Sequence, residues 1–154
     1  MYIGDLHIHS RYSRATSKEL TPEHLDLWAG KKGINIVGTG DFTHPAWREL
    51  AEKLEPAEPG LYMLKKEYSL QRPSILGQSR PRFVISGEIS SIYKKNGRVR
   101  KVHSLILLPS LEAAEVLSRR LEAIGNIHSD GRPILGLDCH DLLAITLEAC
   151  PDAI

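Results

Sequence analysis

Apolar and polar residues alternate strictly along Tyr2-Ile3-Gly4-Asp5-Leu6-His7-Ile8-His9-Ser10, which predicts a strand with Leu6 and Ile8 on one side and Asp5, His7 and His9 on the other. A face that carries a carboxylate and two imidazoles in place of apolar residues is either an exposed polar face or half of a binding site. The polar stretch from Arg11 to Leu20 has no period and predicts a loop. A helix follows, with Thr21 as its cap, Pro22 in its first turn, Leu25, Leu27 and Trp28 as apolar residues and Gly33 as its stop. The β-branched run Ile34 to Val37, closed by Gly38, Gly40 and Asp41, predicts a buried strand that delivers Asp41 at its C-terminal end.

Pro45 then opens a second helix through Leu54, with Trp47, Leu50, Ala51 and Leu54 at helical spacing and destined for the core. From Glu55 to Pro81 the pattern is weak: Leu61 to Leu64 predicts a short strand, and Gln71 to Pro81 a polar loop. Arg72, Arg80 and the nearby Arg82 either touch phosphates or are scattered surface charge. Phe83 to Glu88 repeats the layout of an apolar strand ending in glycine and an acid. Ser91 to Tyr93 and Val99 to Leu108 flank Asn96-Gly97, a type I′ hairpin signal, and the apolar run Ser104 to Leu108 predicts a strand covered on both faces. Ser110 caps a helix with Leu111, Ala114, Leu117, Leu121 and Ile124 on one stripe, stopped by Gly125. A turn-rich segment with His128, a strand from Ile134 to Asp138 and a helix from Leu142 to Leu147 complete the pattern, with Asp138 or Asp141 as cap or ligand.

The order of strands and helices predicts an α/β fold. With 154 residues, 42% hydrophobic and 25% charged, the chain has enough sequence for one domain with its own core. A net charge of +1 gives no bulk attraction to nucleic acid or membrane, so only local patches can recognise a polyanion. Cys139 and Cys150 lack CxxC spacing, which predicts reduced thiols. No apolar run approaches the roughly 18 residues of a membrane span, and no signal-peptide layout is visible, so a soluble, cytoplasmic protein is expected. The chain ends at Cys150-Pro151-Asp152-Ala153-Ile154, a turn followed by the first residues of a strand, and a longer protein is expected from this.

The chemistry converges on imidazoles and carboxylates. His7 and His9, about 7 Å apart along a strand, can close on one divalent cation. Asp41 and His44 lie where a strand hands over to a helix, a position from which α/β enzymes present active groups, or they cap that helix. Glu88 lies at the predicted end of its strand. His103 enters an apolar strand, where a lone histidine is either a core residue or a further ligand.

The phrases Asp5-Leu6-His7-Ile8-His9-Ser10, Gly38-Thr39-Gly40-Asp41-Phe42-Thr43-His44-Pro45, Ser86-Gly87-Glu88-Ile89-Ser90-Ser91-Ile92-Tyr93 and Lys101-Val102-His103 occur in the order found in the PHP (polymerase and histidinol phosphatase) superfamily, and their wording most resembles endonuclease Q. The resemblance implies that residues 1–154 are the N-terminal part of a single PHP-type phosphoesterase domain, the first part of a distorted (β/α)7 barrel that is truncated here. It also implies up to three zinc or manganese ions. His7 and His9 would bind the first, Glu88 would bridge the first and second, His103 would bind the second, and Asp41 and His44 would lie near the third. Phe42 stands where family members more often carry histidine. A further histidine and a closing Asp-x-His motif of the family would lie beyond Ile154, and His140 matches neither.

The implied activity is metal-dependent phosphodiester hydrolysis through a metal-activated water held by His7, His9, Glu88 and His103. By resemblance the complete protein is a DNA endonuclease cutting 5′ of deaminated or abasic nucleotides. A PHP-type phosphatase acting on a small phosphoester, or a noncatalytic metal-binding fragment, would share the same residues. Imidazole and carboxylate suit zinc, manganese and iron alike.

Overall fold

The computed structural model describes residues 1–70 and 80–154. The expected loop arginine Arg72 lies outside the described residues. The fold is mixed α/β, with seven strands and four α-helices among the described residues. One strand organises the rest. β5 (Arg82–Lys95) is 14 residues long, and its Arg82 to Val84 pair in parallel with β2 (Ile36–Gly38), which in turn pairs in parallel with β1 (Gly4–Asp5). On the other side of β5 lies a hairpin in which β3 (Leu54–Glu58) pairs antiparallel with β4 (Leu61–Leu64), and β4 pairs antiparallel with β5. Farther along, β5 changes partners. Its Ile85 to Lys95 pair antiparallel with β6 (Arg98–Leu108), and Ser90 and Ser91 pair in parallel with β7 (Ile134–Leu135). β5 therefore passes from a mainly parallel layer into a hairpin, and the residues at that change of partners include Glu88.

The helices are α1 (Pro22–Lys32), α2 (Arg48–Ala51), α3 (Leu111–Glu122) and α4 (Cys139–Ala149). Gly33 ends α1 in the left-handed region at φ 72°, and Ser110 caps α3 by accepting from the Ala113 amide at 3.1 Å. Asp138 caps α4 by accepting from the His140 amide, which resolves the choice between cap and ligand. α4 begins at Cys139 and ends at Ala149, longer at both ends than its apolar stretch predicts. Leu64, Phe83, Ile85, Ile89, Leu117 and Leu121 are fully buried and form the centre of the core.

Several expectations are corrected. The N-terminal strand pairs only at Gly4 and Asp5, because β2 offers a short ladder. Residues 6–9 instead lie directly against Gly38 and Gly40, where an added Cβ would come within 2.5 Å of the Leu6 carbonyl oxygen and 2.8 Å of that of Ile8. The helix expected from Pro45 through Leu54 is a 3-10 turn (Pro45–Trp47) followed by the short α2, and Leu54 opens β3 by pairing with Leu64. Trp47, Leu50, Ala51 and Leu54 are all buried, so the apolar spacing reflects a shared core across two elements. Trp28 is 52% exposed because α1 turns Ala29 and Gly30 inward. Glu88 lies in the middle of an unbroken strand and not at a strand end. β6 is covered on one face only: Ile106 and Leu108 are buried, whereas Leu105 and Leu107 are half-buried. Arg80 donates to the Leu64 carbonyl and Arg82 pairs with Glu58 at 2.7 Å, so both hold the β3–β4 hairpin. No helix among the described residues is long and apolar enough to cross a membrane.

Replacing a fully buried β5 side chain should be costly. Ile89→Ala is expected to lower stability by about 2–5 kcal/mol in urea unfolding. Trp28→Ala, which removes an exposed ring stacked under Lys31, is expected to change it by no more than about 1 kcal/mol.

Candidate metal centre

The segment after β1 carries His7 and His9 past the end of β2, where both rings meet the Glu88 side chain. His7 Nε2 lies 2.9 Å and His9 Nε2 3.3 Å from Glu88 Oε2. The other oxygen, Oε1, is in ion-pair contact with His103 Nδ1 without hydrogen-bond geometry. His103 reaches Glu88 because Ser90 is its cross-strand partner, which puts Glu88, Ser90 and His103 on one face of the hairpin. Glu88 is 2% exposed, while the His7 and His103 side chains remain about half exposed and open the cluster to solvent.

Asp41 is fully buried and has a different job. Its Oδ1 accepts from Ser13 Oγ at 2.9 Å and lies 3.0 Å from His9 Nδ1, and its Oδ2 accepts from the Ser10 amide and Ser10 Oγ, each at 2.7 Å. Asp41 itself sits at φ 56°, a left-handed backbone that brings its carboxylate back over the Ser10–Ser13 loop. Gly131 approaches this carboxylate so closely that an added Cβ would overlap Asp41 Cγ and Oδ2, and its amide donates to the Tyr12 carbonyl at 3.0 Å. The loop around Gly131 is fixed by Asp130, which accepts from the Arg14 and Arg132 amides. It places Arg132 Nη1 3.9 Å from Glu88 Oε2.

The electrostatics follow from these contacts. The hydrogen bond with Asp41 outweighs burial and raises the His9 pKa above 6.5. Burial opposes ionisation of Glu88, but the hydrogen bond from His7 and the charges of His103 and Arg132 outweigh it and hold the carboxyl below 4.5. When His9 Nδ1 donates to Asp41, its Nε2 lone pair points at the Glu88 carboxylate, and two electron-rich atoms 3.3 Å apart require a proton or a cation between them. His7, His9 and Glu88 offer ligand atoms that all lie within 4.8 Å of one another, and an imidazole–imidazole–carboxylate set suits a divalent transition metal. By donor chemistry and placement these residues fit such an ion.

His7, His9, Glu88 and His103 are brought together, and Asp41 touches them only through His9. His44 stands apart. Its Nδ1 accepts from the Ala46 amide at 3.2 Å, capping the 3-10 turn, and its ring stacks on Tyr12 with centroids 4.7 Å apart. Asp5 is exposed and outside the cluster. Sequence reading missed Ser13, Gly131 and Arg132; the last two carry no local signal, because their partners Asp41, Tyr12 and Glu88 lie in distant segments of the chain.

Gly131→Ala should force apart the Asp41 carboxylate and the Ser10–Ser13 loop, and a loss of about 1–3 kcal/mol in urea unfolding is expected.

No family model matches the chain. An uncharacterized protein of Methanocaldococcus jannaschii is 33% identical over 142 residues, which are 92% of this chain and 14% of that protein. The crystal structure of the lesion-specific endonuclease PfuEndoQ from Pyrococcus furiosus superposes with a TM-score of 0.75 and 30% identity, over 98% of this chain and 32% of that one. Endonuclease Q in complex with a 27-mer duplex substrate with an abasic lesion at the active site gives the same score and identity, over 98% of this chain and 33% of that one. The chain thus spans about a seventh of that relative and about a third of the endonuclease Q structures it resembles.

Proposed function

We propose that residues 1–154 form the N-terminal part of a PHP-type phosphoesterase domain, and that the complete protein is a metal-dependent DNA endonuclease of the endonuclease Q kind, cutting 5′ of deaminated or abasic nucleotides. The observation that carries this is the convergence of His7, His9 and Glu88 on one point, in a chain that superposes on endonuclease Q over 98% of its length. His7, His9 and Glu88 would hold a zinc or manganese ion, and the second Glu88 oxygen with His103 would serve a neighbouring one. A bound divalent ion supplies Lewis acidity, offsetting negative charge on a phosphodiester and making an activated water available near neutral pH.

The chain's own residues do the rest. Asp41 fixes the ring and tautomer of His9 by accepting from its Nδ1, and Ser10 and Ser13 fix Asp41. Arg132 adds a permanent positive charge beside Glu88, where a phosphate oxygen would approach. The exposed rings of His7 and His103 leave the cluster open to a backbone phosphate as large as that of a duplex. In this reading Asp41 acts through His9, and His44 shapes the adjoining turn.

The test is metal content by elemental mass spectrometry on protein purified without a metal-binding tag, followed by cleavage of an abasic-site duplex. About one equivalent or more of metal is expected, lost in His7→Ala/His9→Ala, and Asp41→Asn should weaken metal affinity about 10–100-fold. Wild-type protein without metal would overturn the metal reading. Hydrolysis of a small phosphomonoester without cleavage of abasic DNA would select a phosphatase, and bound metal with neither activity a noncatalytic metal-binding segment.

A further inference from the structure

We propose that the outer half of the β5–β6 hairpin is an arm that grips the phosphate backbone of duplex DNA beside the metal centre; the choice of DNA as the polyanion rests on the function proposed above. Residues 94–101 contain five cations, Lys94, Lys95, Arg98, Arg100 and Lys101, and no acid, and all five are exposed. Among the described residues, Lys95 alone has a carboxylate at ion-pair distance, Asp138 at 2.7 Å. The whole chain, these five cations included, carries a net charge of only +1, so this concentration is local.

The hairpin is built to keep that charge in place. Asn96 and Gly97 both adopt positive φ, 53° and 73°, as a tight primed turn requires, and the ladder runs without a shift from Ile85–Leu108 to Lys95–Arg98. Lys95 stands directly opposite Arg98, with Arg100 two residues along on the same face. Like charges in direct opposition destabilise a hairpin. Asp138 relieves this pair through its contact with Lys95, whereas Lys94, Arg98, Arg100 and Lys101 have no carboxylate at ion-pair distance among the described residues.

Register also ties the arm to the site. Lys101 and Lys94 share the hairpin face of Glu88 and His103, and Lys101 is two residues from His103. Five residue steps separate the level of Ser90 and His103 from that of Lys95 and Arg98, so the arm extends about 17 Å from the metal centre. That is about half a helical turn of B-DNA. A backbone lying along this face would meet Lys101 next to the cluster and Lys94 farther out, while Lys95, Arg98 and Arg100 project from the opposite face and add longer-range attraction. Basic residues on an edge strand also discourage edge-to-edge pairing, and the test separates the two roles.

The experiment measures fluorescence anisotropy of labelled duplexes, with and without one abasic site, across about 50–200 mM salt. Wild-type protein is compared with Lys94→Gln/Lys101→Gln and with the charge-keeping Lys94→Arg/Lys101→Arg. The neutralised variant is expected to retain wild-type metal content, lose about tenfold or more in affinity for both duplexes, and flatten the log–log salt slope by about 2, nearly one per phosphate contact removed. The charge-keeping variant should retain the slope. Unchanged affinity and slope in the neutralised variant would overturn the arm, as would self-association with unchanged DNA binding, equal loss in the charge-keeping variant, or wild-type binding to phosphatidylserine vesicles but not to DNA. Cleavage of abasic DNA by wild-type protein with an unchanged slope in the variant would remove the arm and leave the hydrolase. The expected slope change without any cleavage would do the reverse.

Discussion

Glu88 is a carboxylate buried to 2% exposure in the middle of the longest strand, and a charge in such a place is tolerated only when surrounded by compensating partners. Those partners come from three distant stretches of chain: His7 and His9 from the N-terminal segment, His103 from the returning strand and Arg132 from the loop before β7. Much of the architecture serves this convergence. β5 has to run on past its parallel partner so that Glu88 lies beyond the end of β2. The hairpin register has to place His103 opposite Ser90, on the face of Glu88, and Gly38 and Gly40 have to lack side chains so that residues 6–9 can lie flat against them.

A second layer of order sits behind the first. Asp41 meets His9, Ser10 and Ser13, and none of these contacts is with Glu88. It is therefore an orienting group for His9, and the bareness of Gly131 is what leaves room for it. Such a shell fixes the imidazole ring, because the hydrogen bond at Nδ1 decides which nitrogen faces the cluster. The rings of His7 and His103 are about half exposed, and both contact Glu88.

Much of this was legible from residue order. The Gly33 stop of α1, the caps of α3 and α4, the Asn96-Gly97 turn and the strand before Asp41 each follow from local chemistry that the surrounding fold does not override, whereas Thr21 precedes α1 without a side-chain cap bond. The hairpin of β3 and β4 was only half visible, since Pro56 within β3 argues against a strand and only its pairing with β4 explains it. The N-terminal strand was overdrawn, because alternation describes side-chain direction and not whether a neighbour is present to pair. At the site, His7, His9, Glu88 and His103 were visible as residue types that need partners. Ser13, Gly131 and Arg132 were not, because their contribution exists only once segments far apart in sequence are packed together. His44 illustrates the converse: beside Asp41 in sequence, it folds away to cap its own turn.

Imidazoles and a carboxylate, with no thiolate, are expected to hold a divalent ion at Glu88. X-ray absorption at the zinc or manganese edge of the loaded chain tests it most directly, since it reads ligand type at the metal itself. A shell of nitrogen and oxygen with imidazole scattering, lost when His7 and His9 are replaced, is the result the account requires. A sulfur shell, which would assign the ion to Cys139 or Cys150, or imidazole scattering that survives those replacements, would contradict it.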